Sequence, residues 1–459
     1  MVRARKLIGL LGGGLLCLVI CLLPLNGLGR EGKICLGLTL MTVVWWAAQV
    51  AQSGYISGIY LALLCLLDVA EPAVVFSSWT GSTVWLVIGA YLISAAVQNS
   101  GLGERLSYTF ILRFVRGWRS IIASVFLLTL LLSILIPHPW PRALLIMSVM
   151  SVVIRSASIQ PREASIITFT VFAASVPVSL IFITGDATIN PLVASYAEVS
   201  VSFTQWLKII GIPAVLLSVF TFILILILFK PAAPVSIRLD RVRAAKAEMG
   251  KMTPKERQTA ALTLVTVGLW VTNGITKLDI GWISLIAAMA MGLPFIGGIL
   301  RDMDWGEVPV HVMVFLTAAM AIGKVGESTG MNAWIAELIV PKNLPGSPIL
   351  LALCISLLSV AVHMLMGSVI AVMGIAIPTF LTLAHGTELS PLLISGIVYL
   401  SVAGHYLLPF HHLNMLVGQG GGATTFGHRE TMRMSGPLLV AVLFTVAASV
   451  LWWKFLGLI

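Results

Sequence analysis

Three prolines alternate in Ile136-Pro137-His138-Pro139-Trp140-Pro141-Arg142, with apolar runs on either side. Proline lacks an N–H and restricts the residue before it, so no continuous helix passes through this heptad, which reads as the tip of a hairpin. Two further interruptions, Thr184-Gly185-Asp186-Ala187-Thr188-Ile189-Asn190-Pro191 and Leu408-Pro409-Phe410-His411-His412-Leu413-Asn414, place carboxylate, hydroxyl, imidazole and amide groups inside apolar segments. A softer one, Met366-Gly367-Ser368, separates the run ending at Leu365 from the run Val369 to Leu381 and gives a second hairpin. At such breaks the helix N-terminal ends present free N–H groups suited to a carboxylate, and the C-terminal ends present free carbonyls suited to a cation.

The side chains at the breaks differ in what they can do. Arg142 reads either as a bidentate clamp on a carboxylate or as a basic residue snorkelling to the cytoplasmic face. Asp186 is an isolated carboxylate that binds a cation, carries a proton, or caps the turn that follows it at a solvated helix end. His138, His411 and His412 are of the residue type that exchanges protons near neutrality; adjacent His411 and His412 point differently, so at most one faces a cavity. Asn190 and Asn414 can donate and accept together, which suits them to tie a split helix, ligate a cation or orient a carboxylate. Gly185, Thr188, Gly367 and Ser368 complete the candidate substrate- and ion-binding set. The glycines Gly418, Gly420, Gly421 and Gly422 are not followed by Lys-Ser/Thr in phosphate-loop spacing, and neither a zinc-spaced His/Cys cluster nor a nucleophile elbow occurs, so neither an enzyme nor an organic cofactor is indicated.

These residues must be held in a bilayer. Of 459 residues, 58% are hydrophobic and 10% charged, with mean hydropathy +1.02, too few polar side chains to cover a soluble protein of this size. The fold class expected is an all-α polytopic membrane protein, with about 11 transmembrane helices and two re-entrant hairpins. The net charge of +10 reflects loop placement rather than nucleic-acid binding. Arg3, Arg5 and Lys6 precede an apolar stretch from Leu7 to Leu25 that lacks a small-x-small cleavage site and is expected to stay as a first helix. Residues 1–32 form this N-terminal unit, 33–230 a first repeat, 231–257 a basic cytoplasmic linker and 258–459 a second repeat. With the N-terminus and the linker inside, the outer loops keep only Arg30, Lys33, Lys208, Lys277, Lys324, Lys342 and Lys454. The C-terminus, with Trp452 and Trp453, falls on the outer side of a cell (inner) membrane. Cys17, Cys21, Cys35, Cys65 and Cys354 all lie in apolar runs and read as small core residues.

The halves echo one another. Asn190-Pro191-Leu192-Val193 answers Asn414-Met415-Leu416-Val417, and Pro213 and Pro437 each follow the respective Asn by 23 positions. Five spans and one hairpin per half put the second half in the opposite orientation, an inverted repeat of the kind that lets a carrier expose a midplane site to each side in turn.

Ser82-Thr83-Val84-Trp85-Leu86-Val87-Ile88-Gly89-Ala90, Ser100-Gly101-Leu102-Gly103-Glu104-Arg105, Phe203-Thr204-Gln205-Trp206-Leu207-Lys208 with Gly211-Ile212-Pro213, and Asp304-Trp305 together resemble the divalent anion/sodium symporter family, the carboxylate and sulfate carriers of the ion transporter superfamily. The resemblance runs from about Lys33 to Leu456. It implies eleven spans, two hairpins, a homodimer formed through a scaffold domain, and elevator-like movement of a transport domain. It also implies Ser-Asn-Thr hairpin tips that touch substrate carboxylates and sodium. The matching positions here are Pro137, His138 and Pro139, then Ser368, Val369 and Ile370, of which only Ser368 is retained. A sodium ion near Asn190, Ser368 and Asn414 would therefore have few ligands. The expectation is a secondary active transporter of small organic anions, di- or tricarboxylates, coupled to protons or sodium or working by exchange; the alternative is a non-transporting membrane sensor or subunit that kept the carrier fold.

Overall fold

The computed structural model describes residues 2–459 apart from 158, 198–199, 233–234, 236–237, 340–344, 367–368, 385–386, 408–410, 413–414, 416–417 and 419–425, and the described residues are helical or irregular, with no strand among them. In chain order the helices are α1 (Val2–Leu22), α2 (Arg30–Ala48), α3 (Ser53–Leu66), α4 (Thr83–Ser100), α5 (Leu102–Phe114), α6 (Trp118–Leu135), α7 (Pro139–Ser156), α8 (Pro161–Ser179) and α9 (Ile189–Ser195). They continue as α10 (Phe203–Leu228), α11 (Asp240–Glu248), α12 (Pro254–Thr276), α13 (Ile280–Gly292), α14 (Val310–Ser328), α15 (Met331–Ile339), α16 (Pro348–Met366), α17 (Val369–Leu383), α18 (Pro391–Gly404) and α19 (His428–Phe455). Among the described residues α4, α6, α10, α12, α14 and α19 are each long and apolar enough to cross a bilayer; shorter apolar helices, including α3, α13 and α18, complete the bundle. The chain is a polytopic all-α membrane protein.

Local chemistry sets the helix starts. Thr253 caps α12 by accepting from Glu256 N, while the Glu256 carboxylate accepts from Thr253 N and Pro254 occupies the first position. Asp279 opens α13 by accepting from Gly281 N at 2.7 Å. Pro213 does not break α10: residues Leu207–Gly211 widen into a π turn just before it, which absorbs the missing N–H and lets the helix run for 26 residues. Close packing of α4 on α13 depends on Gly89, where a Cβ would lie 2.7 Å from the Ser284 backbone.

Two hairpins and one clear break position the polar groups. Helices α6 and α7 fold back at residues 136–138, and α16 packs against α17. Helix α8 stops at Ser179 and resumes as α9 at Ile189, with α9 resting on α18 of the other half. The linker helix α11 lies on α5 and α7, and Arg105 pins the chain after it by donating to the carbonyls of Met249, Gly250 and Lys251 and to Glu256.

Candidate functional site

The first hairpin tip is closed by its own side chains. His138 caps α7 in extended backbone, its Nδ1 accepting from Trp140 N at 3.3 Å. The other two of the first three helix positions, Pro139 and Pro141, carry no N–H, so none of these three positions has a free main-chain donor left for an anion. Because Nδ1 accepts, the neutral ring carries its proton on Nε2 and donates to the Tyr91 hydroxyl 2.5 Å away on α4. Tyr91 then keeps its own hydroxyl hydrogen for another acceptor.

The break between α8 and α9 is bound to that tip. Ala187 N donates to Pro137 O at 3.1 Å. Asp186 Oδ1 accepts from Thr188 N at 3.0 Å and Ile189 N at 3.2 Å, capping the turn that leads into α9. Asn190 is fully buried; its Nδ2 donates to Ser179 O (2.9 Å) and Phe182 O (2.8 Å), and its Oδ1 accepts from the Tyr399 hydroxyl of α18 at 2.5 Å. Gly185 is required by crowding, since a Cβ there would sit 2.6 Å from Ser179 O and 3.0 Å from Phe182 O. Arg142 is 0% exposed, so it does not snorkel to either face. Its Nη1 donates to Ile136 O (3.0 Å) and Gly185 O (3.1 Å), and its Nη2 to Ser179 Oγ (2.5 Å), so the guanidinium is turned into the protein and away from the cavity described next.

In the second half, Gly367, Ser368 and Asn414 lie outside the described residues. The two adjacent histidines do diverge. His411 turns inward, its Nδ1 accepting from Leu407 N at 3.3 Å and its carbonyl 2.8 Å from His363 Nε2. His412 is buried yet reaches the cavity wall, and its Nδ1 has no hydrogen-bond partner among the described residues. His363 on α16 and His405 at the end of α18 join this cluster, with His405 Nε2 3.3 Å from Ser435 Oγ. Sequence reading passed over both, along with Tyr91 and Tyr399. An ionisable residue lodged in an apolar helix, as His363 is, was the available signal.

These groups surround a cavity of about 870 Å³. Its inner wall carries Tyr91, His138, Asp186 and Thr188 from the first half and Val369 and His412 from the second. Of the remaining expected residues, Arg142, Gly185, Asn190 and His411 stand behind the wall and hold it in shape. The mouth carries Lys6, Arg301, Asp304, Glu307 and His311. Asp304 is 3% exposed and accepts from Arg301 N (2.7 Å), Arg301 Nη2 (3.0 Å) and Asn99 Nδ2 (2.6 Å). Burial alone would raise its pKa, but these donors outweigh burial and hold the carboxyl below the usual range. A second cavity of about 860 Å³ is lined by other residues of the break and α9, Ile183, Pro191, Ala194 and Ser195, together with Lys208, Asn273 and Lys277. No group of three His, Cys, Asp or Glu side chains among the described residues is arranged to hold a metal ion.

Comparison with known proteins places this architecture. The fold is that of the YdaH transporter of Alcanivorax borkumensis, whose crystal structure superposes with a TM-score of 0.53 at 16% identity, covering 92% of this chain and 98% of that one. The sodium-dependent dicarboxylate transporter SdcS of Staphylococcus saprophyticus is 22% identical over 457 residues, 92% of this chain and 85% of that protein. The chloroplastic dicarboxylate transporter 1 of Arabidopsis thaliana is 24% identical over 341 residues, 70% of this chain and 60% of that protein. The description of the sodium:sulfate symporter transmembrane region matches residues 5–459. With nearly its whole length matched, the chain belongs to the sodium:sulfate symporter family of membrane transport proteins.

Proposed function

We propose that this protein is a secondary active transporter of small organic anions, di- or tricarboxylates, that binds its substrate in the 870 Å³ cavity. The observation that carries this reading is that the wall draws on both halves of the chain, with Asp186 and Thr188 at the first break facing Val369 and His412 at the second hairpin and break. The dicarboxylate transport named for SdcS and for the chloroplastic relative supports the substrate class. Since the first three positions of α7 offer no free N–H, recognition on the first-half side falls to the Tyr91 and Thr188 hydroxyls, with Lys6 and Arg301 at the mouth raising the local concentration of anions. His138, Asp186 and His412 are the carboxyl and imidazole groups of the inner wall able to exchange a proton, and proton coupling through His412 is our reading of the driving force.

The two cavities fit alternating access. Each is lined by different residues of the segment 183–195, so movement of the hairpin and break past the remaining helices would close one and extend the other. An elevator movement of two inverted repeats, in a dimer held through the helices that do not move, is the form we assign to it.

The test is uptake of labelled succinate, malate, citrate and sulfate into proteoliposomes under imposed sodium, proton and counter-substrate gradients. Accumulation of a dicarboxylate supports the reading; no movement of any of them under any gradient contradicts it. A non-transporting sensor is the second reading, favoured by the occupied N–H at the start of α7. It predicts dicarboxylate-dependent thermal stabilisation without uptake.

A further inference from the structure

The carbonyl ends of two interrupted helices meet at the first hairpin. Ile136 ends α6, Ser179 ends α8, and Phe182 and Gly185 follow in the break. Such ends concentrate negative partial charge and are where a mobile cation would be ligated. Here they already have a cation. Arg142 Nη1 lies between Ile136 O and Gly185 O, carbonyls from two separate unwound segments, and Nη2 takes Ser179 Oγ. Three more carbonyls there are occupied as well: Asn190 Nδ2 donates to Ser179 O and Phe182 O, and Ala187 N to Pro137 O. The ion pairs among the described residues are Arg105 with Glu256, Arg243 with Asp240 and Arg301 with Asp304, so Arg142 is a buried guanidinium without a carboxylate in contact. Its contacts are two carbonyls and one hydroxyl, with the Asp186 carboxylate within electrostatic reach but not in contact, and a guanidinium does not give up its proton in a protein.

We propose that Arg142 is a resident cation that fills the position a coupling sodium ion would take between the first hairpin and the first break, so that this half of the carrier moves without sodium. The family description names sodium, and the residues here do not fit it: a second positive charge would have to displace Arg142 from the same carbonyls. The inference rests on the transport reading for its consequence, but its geometry does not depend on that reading, and the test keeps the two apart.

The measurement is the thermal midpoint of the purified full chain in choline, sodium and millimolar guanidinium chlorides at constant ionic strength. It compares wild type with Arg142→Gln, which keeps an amide donor without the charge, and Arg142→Lys, which keeps the charge. Arg142→Gln is expected to gain roughly 2–4 °C in sodium or guanidinium relative to choline beyond any response of wild type. Arg142→Lys is expected to match wild type. Arg142→Ala carries the same expectation as Arg142→Gln should that variant not insert. An equal or smaller response in the uncharged variants, or a response in Arg142→Lys as large as theirs, would overturn the proposal. Uptake is scored separately in the same preparations. Absence of transport with the thermal pattern intact removes the carrier reading and leaves the resident cation standing.

Discussion

The two walls of the cavity are built on opposite plans. On the first-half side four polar side chains are spent on the protein itself: His138 caps α7, Asp186 caps the approach to α9, Asn190 ties the ends of α8 to α18, and Arg142 donates to two carbonyls and a hydroxyl. On the second-half side His412 faces the cavity with an unpartnered nitrogen, and His363 and His405 stand near it. A broken helix in a membrane must satisfy its own backbone first. The first half does so with side chains and becomes rigid; the titratable freedom is left to the second.

The comparison breaks most severely at Asn190. Replacing it with Ala removes three buried hydrogen bonds, which at about 1 kcal/mol each costs roughly 3 kcal/mol, and uptake should be abolished while the protein still inserts. Tyr399→Phe, which removes one of the three, should cost about 1 kcal/mol in the same thermal assay. Next in size is Gly185→Ala: the new methyl meets Ser179 O, and a loss of about 1–3 kcal/mol with slowed uptake is expected, whereas the same change at half-buried Gly117, where nothing lies within 4 Å, has no such contact to disturb.

A smaller effect on stability sharpens the contrast between the walls. His138→Gln should lower stability by about 1 kcal/mol, because a cap and the Tyr91 contact go together. His412→Gln should leave the midpoint almost unchanged and instead remove the stimulation of uptake by an inward proton gradient. Equal behaviour of the two variants would erase the distinction. The smallest effect is at the mouth. Asp304 has a folded pKa below its ordinary value, so its stabilisation is complete above about pH 4 and is lost as pH falls through the folded value. Wild type should therefore hold a constant Asp304 contribution from pH 8 to 5, and Asp304→Asn should differ from it there by about 1 kcal/mol and converge on it at lower pH.

The first hairpin and the first break were legible in the sequence because proline and glycine act locally: Pro137, Pro139 and Pro141 announce a hairpin wherever they fall. Membrane character was equally open to composition. What the chain order hides is direction. Arg142 sits six residues from Ile136 and 43 from Gly185, and only the return of the chain decides that its fork faces carbonyls rather than water or substrate. Pro213 resembles a breaker and is absorbed by a π turn. His363 and Tyr399 lie in helices whose neighbours are apolar, so their meeting with the breaks is a product of packing between segments far apart in sequence.

The most direct test of a substrate site shared by both walls is thiol labelling at Thr188→Cys, since Thr188 lines the cavity and its hydroxyl has no hydrogen-bond partner among the described residues. Purified transporter is treated with a charged thiol reagent with and without a dicarboxylate that the same preparation takes up, against the cysteines of the parent chain as background. The account predicts labelling slowed several-fold by the dicarboxylate in Thr188→Cys and likewise in His412→Cys, since both positions line the cavity. An unchanged labelling rate in the presence of a transported dicarboxylate would contradict it.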